Sequence, residues 1–327
     1  MKKIINSPDH VVSEMLEGMV KCHPELVYFK DVEVVARKIK TKKVGLVSGG
    51  GSGHEPAHAG YVGRGMLDAA VAGNVFASPS PDRVLKGIEE ANQGEGVLLI
   101  IKNYSGDIMN FQMAKELAEM DGANVDFVVV KDDVAVQDST YSTGRRGIAG
   151  TVLVHKIAGA KAEQGATLEE VKAAAAKAIA NIRSMGMAMS SCTLPGVGKP
   201  SFILGENEIE IGMGIHGEPG IEKSEILSAK ELADRLVDKI LKDFDYTNSE
   251  VAVMINGLGA TPLMELYILN NEVEKILSSK NISIHKTYVG NFMTSLEMSG
   301  CSVTLLKLDD ELKSLIDAPC DTPAFKG

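Results

Sequence analysis

Apolar residues gather along this chain into two kinds of segment. VGLVS (44–48), VLLIIK (97–102) and VDFVVV (125–130) are short unbroken runs, as expected for parallel strands covered on both faces. Between them, PDRVLKGIEEAN (81–92) opens with Pro81 at a first helical position, and MNFQMAKELAEM (109–120) places apolar residues at helical spacing. Strand and helix in alternation predict an α/β layer fold with a mainly parallel, doubly wound sheet. Residues 145–184 predict two helices broken near Gly165. Thr167 and Glu170 form a capping box for the second, and Gly186 acts as its stop signal. Beyond it, MAMSSC (187–192), EIEIGMG (208–214), EVAVMIN (250–256), SIHKTYV (283–289) and SVTLLKL (302–308) read as strands, with helices at about 228–243 and 262–278. The alternation in EIEIGMG predicts an antiparallel, half-covered strand. The expected division is therefore residues 1–185 as a first α/β domain and 186–327 as a second, smaller α/β domain with a mixed or antiparallel sheet.

Composition narrows the function classes. A chain of 327 residues can hold two domains with ample core. A net charge of −10 and the lack of a basic patch argue against nucleic acid as a partner. The absence of Trp, with only 5% aromatics, argues against stacking surfaces for sugars or single strands. No run approaches a membrane-spanning length, and the N-terminal MKKIINSPDH lacks the apolar core of a signal peptide. The spacing of Cys22, Cys192, Cys301 and Cys320 suits neither a zinc site nor a CxxC redox pair, so reduced thiols in a cytoplasmic protein are expected.

Glycine- and acid-rich loops follow the predicted strands: GGGSGHEP (49–56), NYSGD (103–107) and KDDV (131–134), with FASPSPD (76–82) leading into a helix. In a parallel sheet such loops share one edge, where open α/β proteins bind ligands, so they are expected to form one site. GGGSGH does not fit the phosphate loop of nucleotide-binding proteins, because His54 and Glu55 stand where Lys and a hydroxyl are required. Its glycines would still let backbone N–H groups approach a small polar molecule. His54, directly after the glycine run, reads as functional rather than as a core histidine. His58 pairs with it only as half of a helical metal motif with a proline inside, so a solvated or structural role is expected and no metal. Asp107 is either a helix N-cap or a base at a helix N-terminus. Lys102 at a strand end implies a carboxylate or phosphate to meet. Asp132 and Asp133 suit a metal on chemistry alone, but a solvated turn is the favoured reading.

MGIHGEPG (213–220) presents His216 among glycines at the end of an anchored strand. Its plain reading is a hairpin with a surface histidine. Against that, Gly214 and Gly217 would leave the imidazole uncrowded, and HGEP echoes GHEP (53–56). A neutral imidazole is a nucleophile toward a carbonyl carbon.

Seven segments, LVSGGGSGHEPAHAGYVG, FASPSPD, GVLLIIKNYSGD, TGRRGIAGT, GIHGEPGI, NGLGATPLMELY and DAPCDTPA, together resemble the substrate-binding (K) subunits of the dihydroxyacetone kinase family, in order and from end to end. The resemblance implies a two-domain α/β protein that binds dihydroxyacetone covalently, as a hemiaminal on His216. It implies further that Gly51, His54, Ser78, Lys102 and Asp107 hydrogen-bond the triose. His54 and Asp107 would assist deprotonation of its terminal hydroxyl. Such chemistry selects a carbonyl compound over glycerol by reactivity rather than shape.

In this family some kinases continue into a nucleotide-binding helical domain. In others, a separate L subunit holds ADP and magnesium and is recharged by an M subunit of the phosphoenolpyruvate phosphotransferase system. The chain has no nucleotide loop and stops after DAPCDTPAFKG, so the second arrangement is implied, with no cofactor on this chain and a homodimer as its assembly. The competing reading is a non-catalytic sensor, since a related class binds dihydroxyacetone and co-activates a transcription factor. His54 and Asp107 beside His216 favour catalysis, because a sensor needs only the tether.

Overall fold

The computed structural model describes residues 2–137 and 143–327 and shows two six-stranded sheets in an α/β fold. The first sheet is built from β1 (Leu26–Phe29), β2 (Val34–Arg37), β3 (Gly45–Ser52), β4 (Ala69–Val75), β5 (Val97–Lys102) and β6 (Val125–Val130), in the order β1-β2-β4-β3-β5-β6. β4, β3, β5 and β6 are parallel, and β1 and β2 add an antiparallel edge. The second sheet holds β7 (Ile182–Ala188), β8 (Glu208–Ile211), β9 (Glu222–Glu225), β10 (Glu250–Gly257), β11 (Ser283–Gly290) and β12 (Gly300–Leu308), in the order β11-β10-β12-β7-β8-β9. Within it only β10 and β11 pair in parallel.

The helices are α1 (Val11–Cys22), α2 (Pro81–Ala91), α3 (Ser105–Met120), α4 (Thr151–Glu163), α5 (Leu168–Asn181), α6 (Ala229–Asp243), α7 (Leu263–Ser279) and α8 (Asp310–Asp317). α2 and α3 cover the outer face of the first sheet, and α6 and α7 that of the second. Between the sheets lies a shared layer containing α4, α5 and α8. Strand alternation shows how both faces are used. In β5, Leu98 and Ile100 face the shared layer while Val97, Leu99 and Ile101 face α2 and α3. In β10, Ala252 and Met254 face inward while Val251, Val253 and Ile255 face α6 and α7. Each such fully buried Val, Leu, Ile or Met side chain is worth about 1.5–3 kcal/mol. α4 is buried on nearly all sides, which explains its apolar TVLVHKIAGA sequence. Gly159 lets it approach the chain at Gly65, whose carbonyl would lie 2.3 Å from a Cβ there.

Three expectations need correction. The glycine run is not a loop: Gly49, Gly50 and Gly51 lie within β3. Their neighbours leave no room for side chains, since a Cβ at Gly49 would sit 2.3 Å from the Val71 carbonyl and one at Gly51 2.6 Å from the Ala77 nitrogen. Gly186 does not stop a helix. The Thr167–Glu170 capping box forms, but α5 ends at Asn181, and the chain turns directly into β7, which contains Gly186. The strand foreseen at 187–192 therefore begins at Ile182. β1, β2, β4, α1 and α8 had no clear signal; β4, AAVAGNV, is made mostly of small residues. Among the described residues no helix is long and apolar enough to cross a membrane.

Candidate functional site

In the first sheet, β3 continues to β4 on one side, and the chain then crosses to β5 on the other. The C-terminal ends of β3, β4 and β5 thus flank a topological switch point, where a crevice opens in such sheets. Gly51 lies in the last turn of β3, Ser78 just after β4, Lys102 at the end of β5 and Asp107 in the first turn of α3. Asp107 is not the helix cap; that position belongs to Tyr104, which makes no side-chain capping bond. Freed from capping, the buried Asp107 carboxylate accepts the Ser78 hydroxyl on Oδ1 and the Lys102 ammonium on Oδ2 at 3.2 Å. Lys102 is fully buried, and Gly50 makes room for it, since a Cβ at Gly50 would lie 2.2 Å from Nζ.

His54 follows β3 and is fully buried. Its Nδ1 lies 2.7 Å from the Thr294 carbonyl, an acceptor, so the ring proton is on Nδ1 and Nε2 keeps its lone pair. Nε2 has no hydrogen-bond partner among the described residues. Burial, reinforced by His216 and Lys102, holds this imidazole well below the usual histidine range, so it stays neutral. Phe76 stacks on it with ring centroids 5.1 Å apart. Phe76 adopts a φ of 56°, unfavourable for a bulky residue, and its ring lies where a Cβ on Gly53 would be only 2.8 Å away.

His216 comes from the other unit, on the turn after β8. Its ring meets His54 edge-on at 4.7 Å between centroids, Tyr104 at 4.6 Å and Phe76 at 5.4 Å. Glu218 folds beneath it: Oε2 accepts the His216 backbone N–H at 2.9 Å, and Oε1 lies 3.0 Å from Nδ1. Burial of Glu218 raises its pKa, but the hydrogen bond and charge of His216 outweigh this and bring it down to about 2. The ionised carboxylate can only accept, so His216 carries a proton on Nδ1, and in the neutral ring the lone pair lies on Nε2. Here the expectation for Gly214 changes. Its missing side chain does not open space for a ligand; a Cβ there would lie 2.1 Å from Glu218 Oε2 and 2.6 Å from Arg146 Nη1. The glycine admits the carboxylate that orients the histidine.

Asp132 and Asp133 are not a solvated turn. Both are buried. Asp132 accepts the backbone N–H groups of Ile148 and Gly150 and the Ser184 hydroxyl. Asp133, raised to about 6 by burial although Arg146 opposes the rise, pairs with Arg146 at 2.7 Å. Arg146 also donates to the Gly212 carbonyl at 2.7 Å, which ties the first unit to the hairpin that carries His216. Sequence reasoning missed Arg146, Tyr104 and Glu218 as individual site residues, although TGRRGIAGT, NYSGD and HGEP contain them. Of the two roles expected for His58 the solvated one does not hold: the ring is buried and bonded to other side chains.

The arrangement joins the sequence-marked residues into one group: Ser78 to Asp107 to Lys102, with Tyr104 under His216 and His54 facing it. Two imidazoles present bare Nε2 atoms beside a carboxylate and an ammonium. Such a site can attack a carbonyl, accept a hydroxyl proton and position a polar triose.

Residues 17–324 match the Dak1 domain. The dihydroxyacetone-binding subunit DhaK of PTS-dependent dihydroxyacetone kinase 1 from Listeria innocua is 55% identical, over 99% of this chain and all of that one. Among solved structures, the native dihydroxyacetone kinase of C. freundii superposes with a TM-score of 0.93 at 38% identity, covering 99% of this chain and 60% of that one. The dihydroxyacetone kinase operon co-activator Dha-DhaQ does so with a TM-score of 0.91 at 38% identity, covering 95% and 97%. The chain belongs to the Dak1 domain family.

Proposed function

We propose that this chain is the dihydroxyacetone-binding subunit of a dihydroxyacetone kinase. The observation that carries the reading is the wiring of His216: Glu218 accepts a hydrogen bond from Nδ1 and leaves Nε2 free to act as a nucleophile beside His54. The Nε2 lone pair attacks the ketone carbon of dihydroxyacetone, and a C–N bond forms as the C=O π pair moves onto oxygen. The Glu218 carboxylate stabilises the positive charge that grows on the ring, and the ring then releases its Nδ1 proton to solvent as the new alkoxide takes one proton up from solvent, so the hemiaminal is neutral. Glycerol has no carbonyl and cannot form it. Gly51, Ser78 and Asp107 hold the remaining hydroxyls; Lys102, whose three N–H groups face the Gly49 carbonyl, Asp107 and His58, acts through Asp107 rather than on the triose itself. The tether places one terminal hydroxyl near His54 Nε2 and Asp107, and positioning of this kind is worth several kcal/mol, up to roughly 7–11 in well-oriented systems. His54 or Asp107 takes the hydroxyl proton as the oxygen accepts a phosphoryl group.

The phosphoryl group would come from a nucleotide with magnesium on a separate L subunit, served by an M subunit of the phosphotransferase system. The Listeria innocua relative, named as PTS-dependent, supports this division of labour. A homodimer is the proposed assembly. The test is to combine the chain with a cognate L subunit and phosphoryl donor. Dihydroxyacetone phosphate is the expected product; binding without turnover would refute the kinase reading. A crystal soaked in dihydroxyacetone should show density continuous from His216 Nε2 to the triose, and a separate ligand would refute the covalent step.

A second reading, a dihydroxyacetone-responsive co-activator, is favoured by the likeness to Dha-DhaQ. It predicts adduct formation without phosphorylation, so the same experiment separates the two.

A further inference from the structure

Behind the candidate site, away from His216, the Lys102–Asp107 pair continues into two buried histidines that the proposed reaction does not use. Lys102 Nζ lies 3.1 Å from the Gly49 carbonyl, 3.2 Å from Asp107 Oδ2 and 3.2 Å from His58 Nε2. His58 Nδ1 in turn lies 3.0 Å from His155 Nε2 and 3.4 Å from the Ser48 hydroxyl. Lys102, Asp107, His58 and His155 are all buried.

Two independent constraints fix the protons. A lysine ammonium has three donors and no acceptor, and three acceptors surround Nζ. His58 Nε2 must therefore be bare. On the other side of the ring, Ser48 donates its hydroxyl hydrogen to the Ile100 carbonyl at 2.6 Å, so toward His58 it can only accept. His58 Nδ1 must therefore carry the proton, which it directs at His155 Nε2. His155 then holds its own proton on Nδ1. Burial, with Lys102 nearby, pushes both imidazoles down, His155 to about 3, so neither competes with Lys102 for charge.

We infer that His58, backed by His155, is a positioning residue that takes the third N–H of Lys102 and thereby holds the ammonium on Asp107. Gly50 clears the space for Nζ, β3 supplies one acceptor, and α4 supplies the histidine behind. Without His58, one N–H of a fully buried ammonium would lack a partner, which costs far more than a surface loss. The ammonium would turn, and Asp107 would lose its partner on Oδ2. His216 belongs to the other unit, and among the described residues its hydrogen bonds and ring contacts go to Glu218, His54, Phe76 and Tyr104 rather than to these buried groups, so adduct formation should be spared.

The inference rests on the kinase reading for its effect on turnover, and the wiring has its own readout. In the reconstituted kinase, His58→Leu should lower kcat by about 10- to 100-fold, with KM for dihydroxyacetone within about threefold of wild type. His58→Gln, whose side-chain oxygen can accept from Lys102, should recover most of that loss. Equal losses in the two variants, or a KM that rises in step with the fall in kcat, would overturn the inference. If His58→Leu does not fold, His155→Leu replaces it and should act in the same direction with a smaller loss; an unchanged kcat there counts against the inference. Nitrogen-15 NMR of labelled histidines, which needs no turnover, should show His58 protonated on Nδ1 and bare on Nε2 from about pH 5 to pH 9, across the whole range of roughly pH 5 to 8 in which an ordinary histidine titrates. The opposite tautomer would overturn the inference. If the wild-type complex forms no dihydroxyacetone phosphate, the kinase reading falls, and the NMR result still decides the wiring.

Discussion

GHEP at 53–56 and HGEP at 216–219 use the same four residue types, and their two histidines face each other 4.7 Å apart. In both, the glutamate accepts a nearby backbone N–H at 2.9 Å: Glu55 from Gly53, and Glu218 from His216. The wiring then diverges. Glu55 is next to His54 in sequence and is not its hydrogen-bond partner; His54 turns to the Thr294 carbonyl of the other unit. Glu218 is two residues beyond His216, and that offset lets its carboxylate fold back onto Nδ1. Burial pushes Glu55 up, whereas His216 brings Glu218 down to about 2. One histidine is oriented by a neutral carbonyl and suits a base. The other is oriented by an anion, which would stabilise the positive charge that grows on the ring in the proposed nucleophilic attack.

Substitutions can break this contrast, beginning with the nucleophile. His216→Ala should abolish the adduct and lower turnover by about 10³-fold or more, the scale of a lost covalent and positioning step. It should also erase discrimination against glycerol, measured by competition in the coupled assay. His54→Asn keeps an N–H for Thr294 but removes Nε2. It should lower kcat by about 10²- to 10⁴-fold, the range for a general base, while the adduct still forms in a soaked crystal. Loss of the adduct in that variant would mean the two histidines are not divided as base and nucleophile.

Glu218→Gln tests the anion. A charge-assisted hydrogen bond of about 1.5–3 kcal/mol is lost, so dihydroxyacetone affinity by calorimetry should fall roughly ten- to hundredfold. The same variant has a pH signature. The Glu218 pKa is depressed in the folded chain, so its stabilisation is present above the ordinary value of 4.5 and is lost as pH falls through about 2. Urea unfolding between those limits should therefore depend less steeply on pH in Glu218→Gln than in wild type. Gly214→Ala drives a methyl into Glu218 and Arg146 and should cost about 1–3 kcal/mol of stability, read as a shift in urea midpoint with weakened adduct formation. Glu55→Gln should have the smallest effect, within about 0.5 kcal/mol, because glutamine keeps an acceptor for the Gly53 N–H and no charge partner is lost. A large loss there would erase the difference between the two acids.

The strands covered on both faces, β3, β5, β6, β10 and β12, were legible because burial on two sides demands continuous apolar runs. β4 was not, because its small residues serve close approach: Gly73 in it lies against the Ala77 carbonyl, which would be 1.9 Å from a Cβ. The glycine run of β3 was misplaced for the same reason, since local propensity reads glycine as loop while packing put it in a strand. The site residues were visible as motifs, and the convergence of loops after parallel strands followed from topology. Their wiring was not visible. Asp132 and Asp133 look solvated in sequence, and only the arrival of Arg146, Ser184 and two backbone N–H groups explains their burial.

By itself the sequence determined the α/β layering, the positions where chemistry could gather, and the identity of His54, Lys102, Asp107 and His216, because periodicity and residue type are local properties. The tertiary structure decided which nitrogen of each histidine is bare. Proton placement depends on the partner of the other nitrogen, and those partners are far away or folded back: Thr294 lies 240 residues from His54, and Glu218 reaches Nδ1 only because Gly214 leaves the space. It also decided that the two histidines meet at all, since they stand on different sheets and are brought together only when the shared helical layer packs between them.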